Sequence, residues 1–249
     1  MQPILQVDTL YGGYIPGKPV LHDITFSVRP GEMIGLIGLN GAGKSTTIKH
    51  ILGLLHPQKG NVRINGLTLK DNPLAYRSAY AYVPESPELY EELTIREHLE
   101  LSAMAYGLTK DVFKARSEAL LGEFQMKDKL NSFSNHLSKG MKQKVMIMNA
   151  FLIEPSLYII DEPFLGLDPL AIRSLLDLMV QMKRRGASFL ISSHILSTIE
   201  KYCDRYIVLH RGHIVAYGDL DEIRLQTQLP GASLDDLFYN LVQGEGGTP

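Results

Sequence analysis

The sequence has almost no cysteine, no excess of charge of either sign and no long apolar run. Cys203 is the only cysteine in 249 residues, which excludes an internal disulfide and a multi-cysteine zinc site and favours a reducing compartment. A balance of 25 Lys and Arg against 27 Asp and Glu leaves a net charge of -2, which argues against a protein that coats nucleic acid. No apolar stretch approaches the ~20 residues of a membrane-spanning helix, and residues 1–5 show no secretory signal. We therefore expect a cytoplasmic chain that reaches a membrane only through a partner.

The spacing of apolar residues changes along the chain. Near the N-terminus Ile24, Phe26 and Val28 alternate with polar residues, which predicts a half-buried sheet. From about residue 84 to residue 149 strands disappear and helical spacing takes over. The first residues with that spacing are Ile95, Leu99, Leu101 and Met104. Strands and helices then alternate again, which indicates an α/β protein with a mainly parallel sheet and an inserted helical part.

Residues 38–46, Gly-Leu-Asn-Gly-Ala-Gly-Lys-Ser-Thr, match the phosphate-loop pattern G-x-x-x-x-G-K-[ST]. The glycines let backbone N–H groups approach phosphate oxygens, Lys44 reaches the β- and γ-phosphates, and the hydroxyl of Ser45 can hold Mg²⁺. A short apolar strand precedes the loop and helical spacing follows it, so a helix N-terminus points at the phosphates. The predicted nucleotide-binding residues of the loop are Gly38, Asn40, Gly41, Ala42, Gly43, Lys44, Ser45 and Thr46.

Two adjacent carboxylates follow another apolar strand. Residues 157–160 lead into Asp161 and Glu162 at the C-terminal end of the strand, which is the edge of an α/β sheet where ligands bind. Asp161 suits the magnesium shell, and Glu162 suits the orientation or deprotonation of an attacking water. A solvated acidic turn is the alternative for this pair alone. With the phosphate loop, the pair predicts a nucleotide hydrolase in which Lys44 and Glu162 are catalytic.

A serine and a glycine begin a further helix-competent run. Ser138 and Gly140 precede apolar residues from 145 to 152, and a serine at a helix start can cap the helix and bind an anion. By itself this pattern fits any capped helix. Its meaning depends on its place among the other motifs.

The ordered set of motifs resembles the ATP-binding subunits of ABC transporters over nearly the whole chain. In that family a phosphate loop, a glutamine loop, an LSGGQ signature, an acidic strand, a D-loop and a switch histidine follow one another. The corresponding positions here are residues 38–46, 82–85, 137–141, 161–162, 165–168 and His194. The resemblance implies a RecA-like P-loop NTPase core with an N-terminal antiparallel β subdomain and an inserted α-helical subdomain. The implied divisions are residues 1–84 and 150–218 for the core with the β subdomain, 85–149 for the helical signature subdomain and 219–249 for a C-terminal helical tail.

The resemblance also implies how the site is completed. Two chains would pair head to tail as a homodimer, so that Ser138 and Gly140 of one chain close over the γ-phosphate held by the other. Tyr14 would stack on the adenine ring, with Tyr11 as the weaker candidate. His194, just beyond a strand end, would contact the γ-phosphate as a third catalytic residue. The implied ligands of Mg²⁺ are Ser45, Glu85 and Asp161.

Two positions depart from the family pattern. Glu85 stands where glutamine is usual, and it brings a further carboxylate close to Asp161 and Glu162, where like charges oppose joint ionisation. We therefore expect assembly of the site to depend more strongly on magnesium. Lys139 replaces a small residue of the signature but keeps its backbone N–H, and we expect both composite sites to stay competent.

Two finer resemblances bear on the biological role. Residues 85–94 and the Leu-Ser-Lys-Gly-Met signature are similar to those of the Ecs-type ATPases of bacteria, which work with a separate membrane subunit. Residues 233–241 are similar to the ending of many export-type members, which favours export over import. We predict an ATPase that uses ATP and Mg²⁺, lies on the inner face of the cell membrane through a transmembrane permease subunit, and binds no nucleic acid. A soluble family member acting on nucleic acid or ribosomes and a regulatory nucleotide-binding subunit are the alternatives.

Overall fold

The computed structural model describes residues 2–243, which contain two β-sheets. The strands are β1 (Leu5–Gly12), β2 (Leu21–Val28), β3 (Met33–Gly38), β4 (Lys59–Ile64), β5 (Tyr80–Val83), β6 (Leu157–Asp161), β7 (Ser188–Ser192), β8 (Arg205–His210) and β9 (His213–Gly218). A three-stranded sheet has the order β2-β1-β4, and a six-stranded sheet has the order β5-β6-β7-β3-β8-β9. Except for β8 and β9, neighbouring strands in the large sheet are well separated in sequence, as crossover connections require.

The six-stranded sheet is parallel except at one edge. Strands β5, β6, β7, β3 and β8 run parallel, and β9 pairs antiparallel with β8. Every residue of β3, β6 and β7 is buried, as expected for strands that are covered on both faces. The prediction of an α/β fold with a mainly parallel core is therefore confirmed.

The three-stranded sheet is antiparallel and uses the N-terminal part of the chain. Strand β1 pairs with both β2 and β4. Ile24, Phe26 and Val28 are buried while the residues between them are more exposed, as their alternation predicted. After β4, Asn65 and Gly66 have φ angles of 50° and 77°, which a tight turn between antiparallel segments requires. The predicted N-terminal antiparallel sheet is thus present.

Helices connect the strands of the large sheet. Their bounds are α1 (Lys44–Ile51), α2 (Pro73–Ser78), α3 (Ile95–Ala105), α4 (Lys110–Glu123), α5 (Lys139–Ile153), α6 (Pro169–Arg184), α7 (Leu196–Tyr202), α8 (Leu220–Thr227) and α9 (Leu234–Gln243). Helices α3, α4 and α5 lie between β5 and β6, where residues 84–156 include no strand. No helix within residues 2–243 combines the length and the apolar character that crossing a bilayer requires.

Helix α3 is present where the apolar spacing predicted the first helix of the insertion. It begins with a capping box at Thr94, and it buries Ile95 and Leu99 completely. Leu101 and Met104, which contributed to the prediction of this helix, are 41% and 72% exposed. They lie off the stripe at i, i+4 and i+8 that faces the core.

The six-stranded sheet separates two hydrophobic cores. Met33 and Ile37 of β3 belong to the core shared with α3 to α7, whereas Ile34 and Leu36 belong to the core shared with the three-stranded sheet. Alternate residues of a strand point to opposite faces of its sheet. Strand β3 therefore anchors both layers at the point where the phosphate loop begins.

Helix α9 packs on the domain that precedes it. Leu234 and Leu237 are completely buried, and the backbone N–H of Leu234 donates a hydrogen bond of 2.9 Å to Oε2 of Glu200 in α7. The hydroxyl of Ser233 accepts a hydrogen bond of 3.3 Å from the backbone N–H of Asp236, as expected of a cap. Residues 244–249 of the predicted tail lie outside the described part of the chain.

We predict that Gly35→Ala destabilises the protein and that Gly122→Ala does not. A β-carbon at residue 35 in β3 would lie 2.4 Å from Cγ2 of Ile199 in α7, so α7 would have to move. At residue 122 in α4 the nearest atom would be Cε of Lys127 at 3.4 Å, and alanine favours a helix over glycine. In denaturant titrations, the free energy of unfolding should fall by about 1–3 kcal/mol for Gly35→Ala. It should stay equal or rise by up to about 1 kcal/mol for Gly122→Ala; the same loss in both variants would contradict this account.

Candidate active site

The C-terminal ends of β3, β7 and β6 meet at one edge of the large sheet. The three strands are parallel neighbours, so the residues that follow them come together. A cavity of about 770 Å³ opens at this edge. Its lining includes twelve residues that the sequence indicated: Tyr14, Gly38, Asn40, Gly41, Gly43, Lys44, Ser45, Thr46, Glu85, Asp161, Glu162 and His194.

The phosphate loop joins β3 to α1. Gly41 and Gly43 have φ angles of 80° and 113°, which residues with side chains rarely adopt. Helix α1 begins without a side-chain cap, so its first backbone N–H groups are available to phosphate oxygens. Nζ of Lys44 donates a 2.7 Å hydrogen bond to the carbonyl of Gly38, which holds the ammonium group across the loop. Ala42 is buried and does not line the cavity, and its backbone N–H donates to the carbonyl of Leu39 at 3.0 Å.

Asp161 is the buried carboxylate at the end of β6. The hydroxyl of Ser192, at the end of β7, donates a hydrogen bond to its Oδ1. Burial raises the pKa of Asp161; the hydrogen bond from Ser192 opposes this rise, whereas the charges of Glu85 and Glu162 add to it. The cavity therefore concentrates poorly solvated carboxylates, and a cation bound among them would relieve their repulsion.

Glu162 and His194 are in direct contact. Oε2 of Glu162 accepts a 2.7 Å hydrogen bond from Nδ1 of His194 and a second bond of 3.1 Å from the backbone N–H of the same residue. The backbone N–H of Glu162 donates to the carbonyl of Ser192 at 3.1 Å. Glu162 has a φ of 46°, an uncommon conformation that tends to occur at functional sites. The backbone and the histidine together fix where this carboxylate points.

Tyr14 also lines the cavity and is 55% exposed. A hydrogen bond with Thr46 lowers the pKa of the Tyr14 phenol, and burial opposes this change. Nζ of Lys49 lies 3.3 Å from the phenol oxygen and 5.0 Å from the ring centroid. Tyr11 does not line the cavity; its ring packs edge-on against that of His22 at 6.3 Å. Of the two tyrosines, only Tyr14 is placed beside the phosphate loop.

Comparisons with known proteins agree with this geometry. A family model described as ABC transporter matches residues 21–165, more than half of the chain. The chain belongs to the ABC transporter family. It is 56% identical over 244 residues to the ABC-type transporter ATP-binding protein EcsA of Bacillus subtilis (strain 168), a match that covers 98% of each protein. A solved structure described as the ATP binding subunit of an ABC transporter has 58% identity and a TM-score of 0.93 over 96% of this chain and 99% of its own.

The name of a more distant relative refers to a specific transport process. The Nod factor export ATP-binding protein I of Burkholderia orbicola (strain AU 1054) is 33% identical over 201 residues, which cover 81% of this chain and 66% of that protein. Membership of the ABC family confirms the predicted P-loop ATPase fold and the resemblance to Ecs-type ATPases. The chain is an ATP-binding subunit of this family and an ATPase.

In this ABC ATPase, Ser138 and Gly140 lie away from the cavity that holds the phosphate loop. Ser138 caps α5, because its hydroxyl accepts a 3.3 Å hydrogen bond from the backbone N–H of Met141. A β-carbon on Gly140 would lie 2.4 Å from the carbonyl oxygen of Gly166, so the turn packs tightly on the loop that follows Glu162. Within one chain, the two predicted signature residues and the phosphate loop do not form a common surface.

Two residues of α5 that sequence reasoning missed link this helix to the site. Nε2 of Gln143, which is buried, donates a 3.2 Å hydrogen bond to the carbonyl of Pro84, directly before Glu85. Nζ of Lys144 forms a 2.7 Å ion pair with Asp168, which also caps α6. The only signal in the sequence was a pair of polar residues just before the apolar run of α5.

Several apolar lining residues were also missed, among them Leu165 and Phe238. Leu165 follows Glu162 by three residues, and Phe238 comes from α9. Both lie in segments that the sequence indicated for other reasons, the loop before Asp168 and the C-terminal helix. Neither carries a polar group, so nothing in the sequence linked them to nucleotide chemistry.

Proposed function

We propose that this ABC ATPase binds ATP together with Mg²⁺ in the cavity and hydrolyses it to ADP and phosphate to drive a separate membrane-spanning subunit. One observation carries the proposal: a single cavity is lined by the phosphate loop, by three carboxylates and by the imidazole of His194. Such a site offers backbone and lysine contacts to a triphosphate, oxygen ligands to a hard cation, and groups that position a water.

The nucleotide would extend from Tyr14 to the acidic strand end. The exposed ring of Tyr14 stacks on adenine, which favours it over Tyr11 as the base-binding residue. Lys44 neutralises charge on the β- and γ-phosphates from its place across the loop. The loop residues proposed to surround the phosphates are Gly38, Asn40, Gly41, Ala42, Gly43, Lys44, Ser45 and Thr46.

The proposed Mg²⁺ ligands are Ser45, Glu85 and Asp161. Their oxygen donors suit a hard cation, and the buried Asp161, whose pKa the neighbouring charges raise further, gains most from a positive ion nearby. Residues 2–243 hold no group of three or more His, Cys, Asp or Glu side chains suited to a metal ion alone. Phosphate oxygens of the nucleotide would therefore complete the shell, and the ion would neutralise charge that develops on the phosphoryl group.

Hydrolysis is assigned to Glu162, His194 and Lys44. Phosphoryl transfer depends mainly on positioning and charge stabilisation, so a base needs a fixed direction. The carboxylate of Glu162 has a fixed direction, because it accepts two hydrogen bonds from His194. We assign to Glu162 the orientation of the attacking water, and to His194 the contact with the γ-phosphate that reports its presence.

A second copy of the chain is proposed to complete each site. Ser138 and Gly140 stand at the start of α5, outside the cavity of their own chain. Helix starts attract anions, so this turn suits a γ-phosphate held by a partner. A head-to-tail homodimer would form two such sites, closing when ATP is bound and opening after hydrolysis.

The segment from Glu85 to Tyr106 is the proposed contact for the membrane subunit. It begins at a proposed magnesium ligand and leads to a second hollow of about 310 Å³, lined in part by Tyr90, Leu101 and Tyr106. Tyr90 is 65% exposed, and aromatic residues of this kind are common anchors of protein interfaces. The chain would then lie on the cytoplasmic face of the cell membrane, held by its permease and without nucleic acid as a partner.

We propose export as the direction of transport. The ending at residues 233–241 resembles that of export-type members, and the name of the Burkholderia relative refers to export. Both observations concern ATP-binding subunits. They say nothing of the transported cargo, which the membrane subunit would select.

The proposed role in transport predicts a stable complex between this ATPase and a membrane-spanning subunit. A tagged chain extracted from its own cells in mild detergent should retain a membrane-spanning subunit, and Tyr90→Ala should reduce the retained amount about tenfold or more, as expected for an aromatic anchor. Tyr239→Ala, at a tyrosine that is 62% exposed on α9, is the matched control and should retain it fully. Recovery of nucleic acid or ribosomes in place of a membrane protein would refute the transport role.

The base assignment predicts that Glu162→Gln binds ATP but hydrolyses it at least about 100-fold more slowly, since an amide is a poor base. The variant should accumulate as an ATP-bound dimer, detected by light scattering after gel filtration, while phosphate release reports turnover. Glu118→Gln, on the exposed side of α4, is the control for removal of one charge. Rapid turnover by Glu162→Gln would contradict the assignment.

The extra carboxylate predicts an unusual dependence on magnesium. In Glu85→Gln, the ratio of the ATP affinities measured with and without Mg²⁺ should fall by about fivefold, the effect of about 1 kcal/mol from one charge near the site. Glu88→Gln, three residues further and outside the cavity, should leave this ratio unchanged. Titration calorimetry supplies both affinities, and an unchanged ratio in Glu85→Gln would remove Glu85 from the metal site.

A further inference from the structure

Helix α9 contributes an aromatic side chain to the wall of the nucleotide cavity. Phe238 lines it together with His194 and with Leu196, the first residue of α7. The residue lies outside the part of the chain that the family model matches, residues 21–165. It is the one aromatic side chain besides Tyr14 among the lining residues named for this cavity, which also include apolar residues such as Leu165 and Leu196.

Helix α9 is held firmly against α7. Leu234 and Leu237 are completely buried, and Oε2 of Glu200 accepts the first backbone N–H of α9 at 2.9 Å. Phe238 lies one turn after Leu234, so it shares the docked side of the helix and is itself partly buried. The next residue, Tyr239, is exposed and lines a different hollow.

The turn that carries His194 is held by hydrogen bonds to Glu162 and within the turn itself. It runs from Ser193 to the start of α7, which has no side-chain cap; the backbone N–H of Ile195 donates a bond of 3.0 Å to the Ser193 hydroxyl, and that of His194 donates one of 3.1 Å to Oε2 of Glu162. The imidazole meets Glu162 at 2.7 Å. The imidazole side chain is still 57% exposed, so a neighbour outside the turn can restrict it further, and Phe238 is the residue of α9 that lines the cavity with it.

We propose that Phe238 is a positioning residue for ATP hydrolysis, which packs beside Leu196 and holds the His194 turn so that the imidazole stays on Glu162. The inference rests on the role proposed above for His194. Phe238 touches no reacting atom in this scheme, and its effect passes through the histidine. The C-terminal helix thereby becomes part of the active-site wall in addition to part of the core.

The first test compares neighbouring residues of α9 in the full chain. Phe238→Ala should lower kcat for ATP hydrolysis about fivefold and change KM for ATP less than about twofold, because the phosphate loop and Tyr14 are untouched. Phe238→Leu, which keeps an apolar side chain there, should recover most of the loss. Tyr239→Ala should match the unsubstituted protein. Thermal unfolding of each variant shows whether the variant is folded, so that a loss of activity is not confused with a loss of folding. If Phe238→Ala is folded and its kcat is unchanged, the proposal is overturned.

The second test is a double-mutant cycle with His194→Ala. If Phe238 acts through His194, Phe238→Ala should have no further effect on kcat once the imidazole is absent. The same fivefold loss in the His194→Ala background would overturn the inference and leave the role of His194 intact. An unchanged kcat in His194→Ala alone would instead refute the proposed role of His194, and the inference with it. Should Phe238→Ala not fold, Phe238→Val takes its place in the cycle.

Discussion

The parallel pairing of β3, β7 and β6 is the constraint on which the whole site depends. Ser192 of β7 is in register with Leu36 on one side and with Asp161 on the other. Neighbouring strands lie about 4.8 Å apart, so the phosphate loop after β3 and the carboxylates after β6 are held two strand spacings from one another. The complete burial of these strands means that this separation cannot change without disrupting both cores.

This fixed edge brings together groups that repel each other. The charges of Glu85 and Glu162 act on Asp161, and the burial of Asp161 and Glu162 removes much of the water that would screen their charges. Hydrogen bonds stabilise two of these carboxylates: Ser192 donates to Asp161, and His194 donates to Glu162. Lys44 is the nearby cation that favours the charge on Asp161, although its ammonium group also donates to the carbonyl of Gly38. The arrangement is one that a bound cation and a polyphosphate would both stabilise.

The elements were predictable where local chemistry determines them. The phosphate loop, the strand before Asp161 and the cap at Ser138 each follow from residue types and spacing within about ten residues, and the structure contains all three. The contact of His194 with Glu162 depends on residues that are 32 positions apart in sequence. The order of strands in the sheet depends in part on pairs that are further apart still, such as Met33 with Phe189. Phe238 was not predictable as a wall residue, because its spacing shows only that α9 is amphipathic. The spacing that includes Leu101 and Met104 correctly indicated α3, but it does not reveal how narrow the buried stripe of this helix is.

Two consecutive side chains of α5 connect this helix to two different loops of the site. Gln143 holds the segment at Pro84, and Lys144 holds the segment at Asp168. Successive residues of a helix point about 100° apart, so the two contacts leave α5 in different directions. A rotation of α5 about its axis would displace both loops in one movement. Helix α5, whose cap is Ser138, therefore couples the loop before Glu85 to the loop after Glu162.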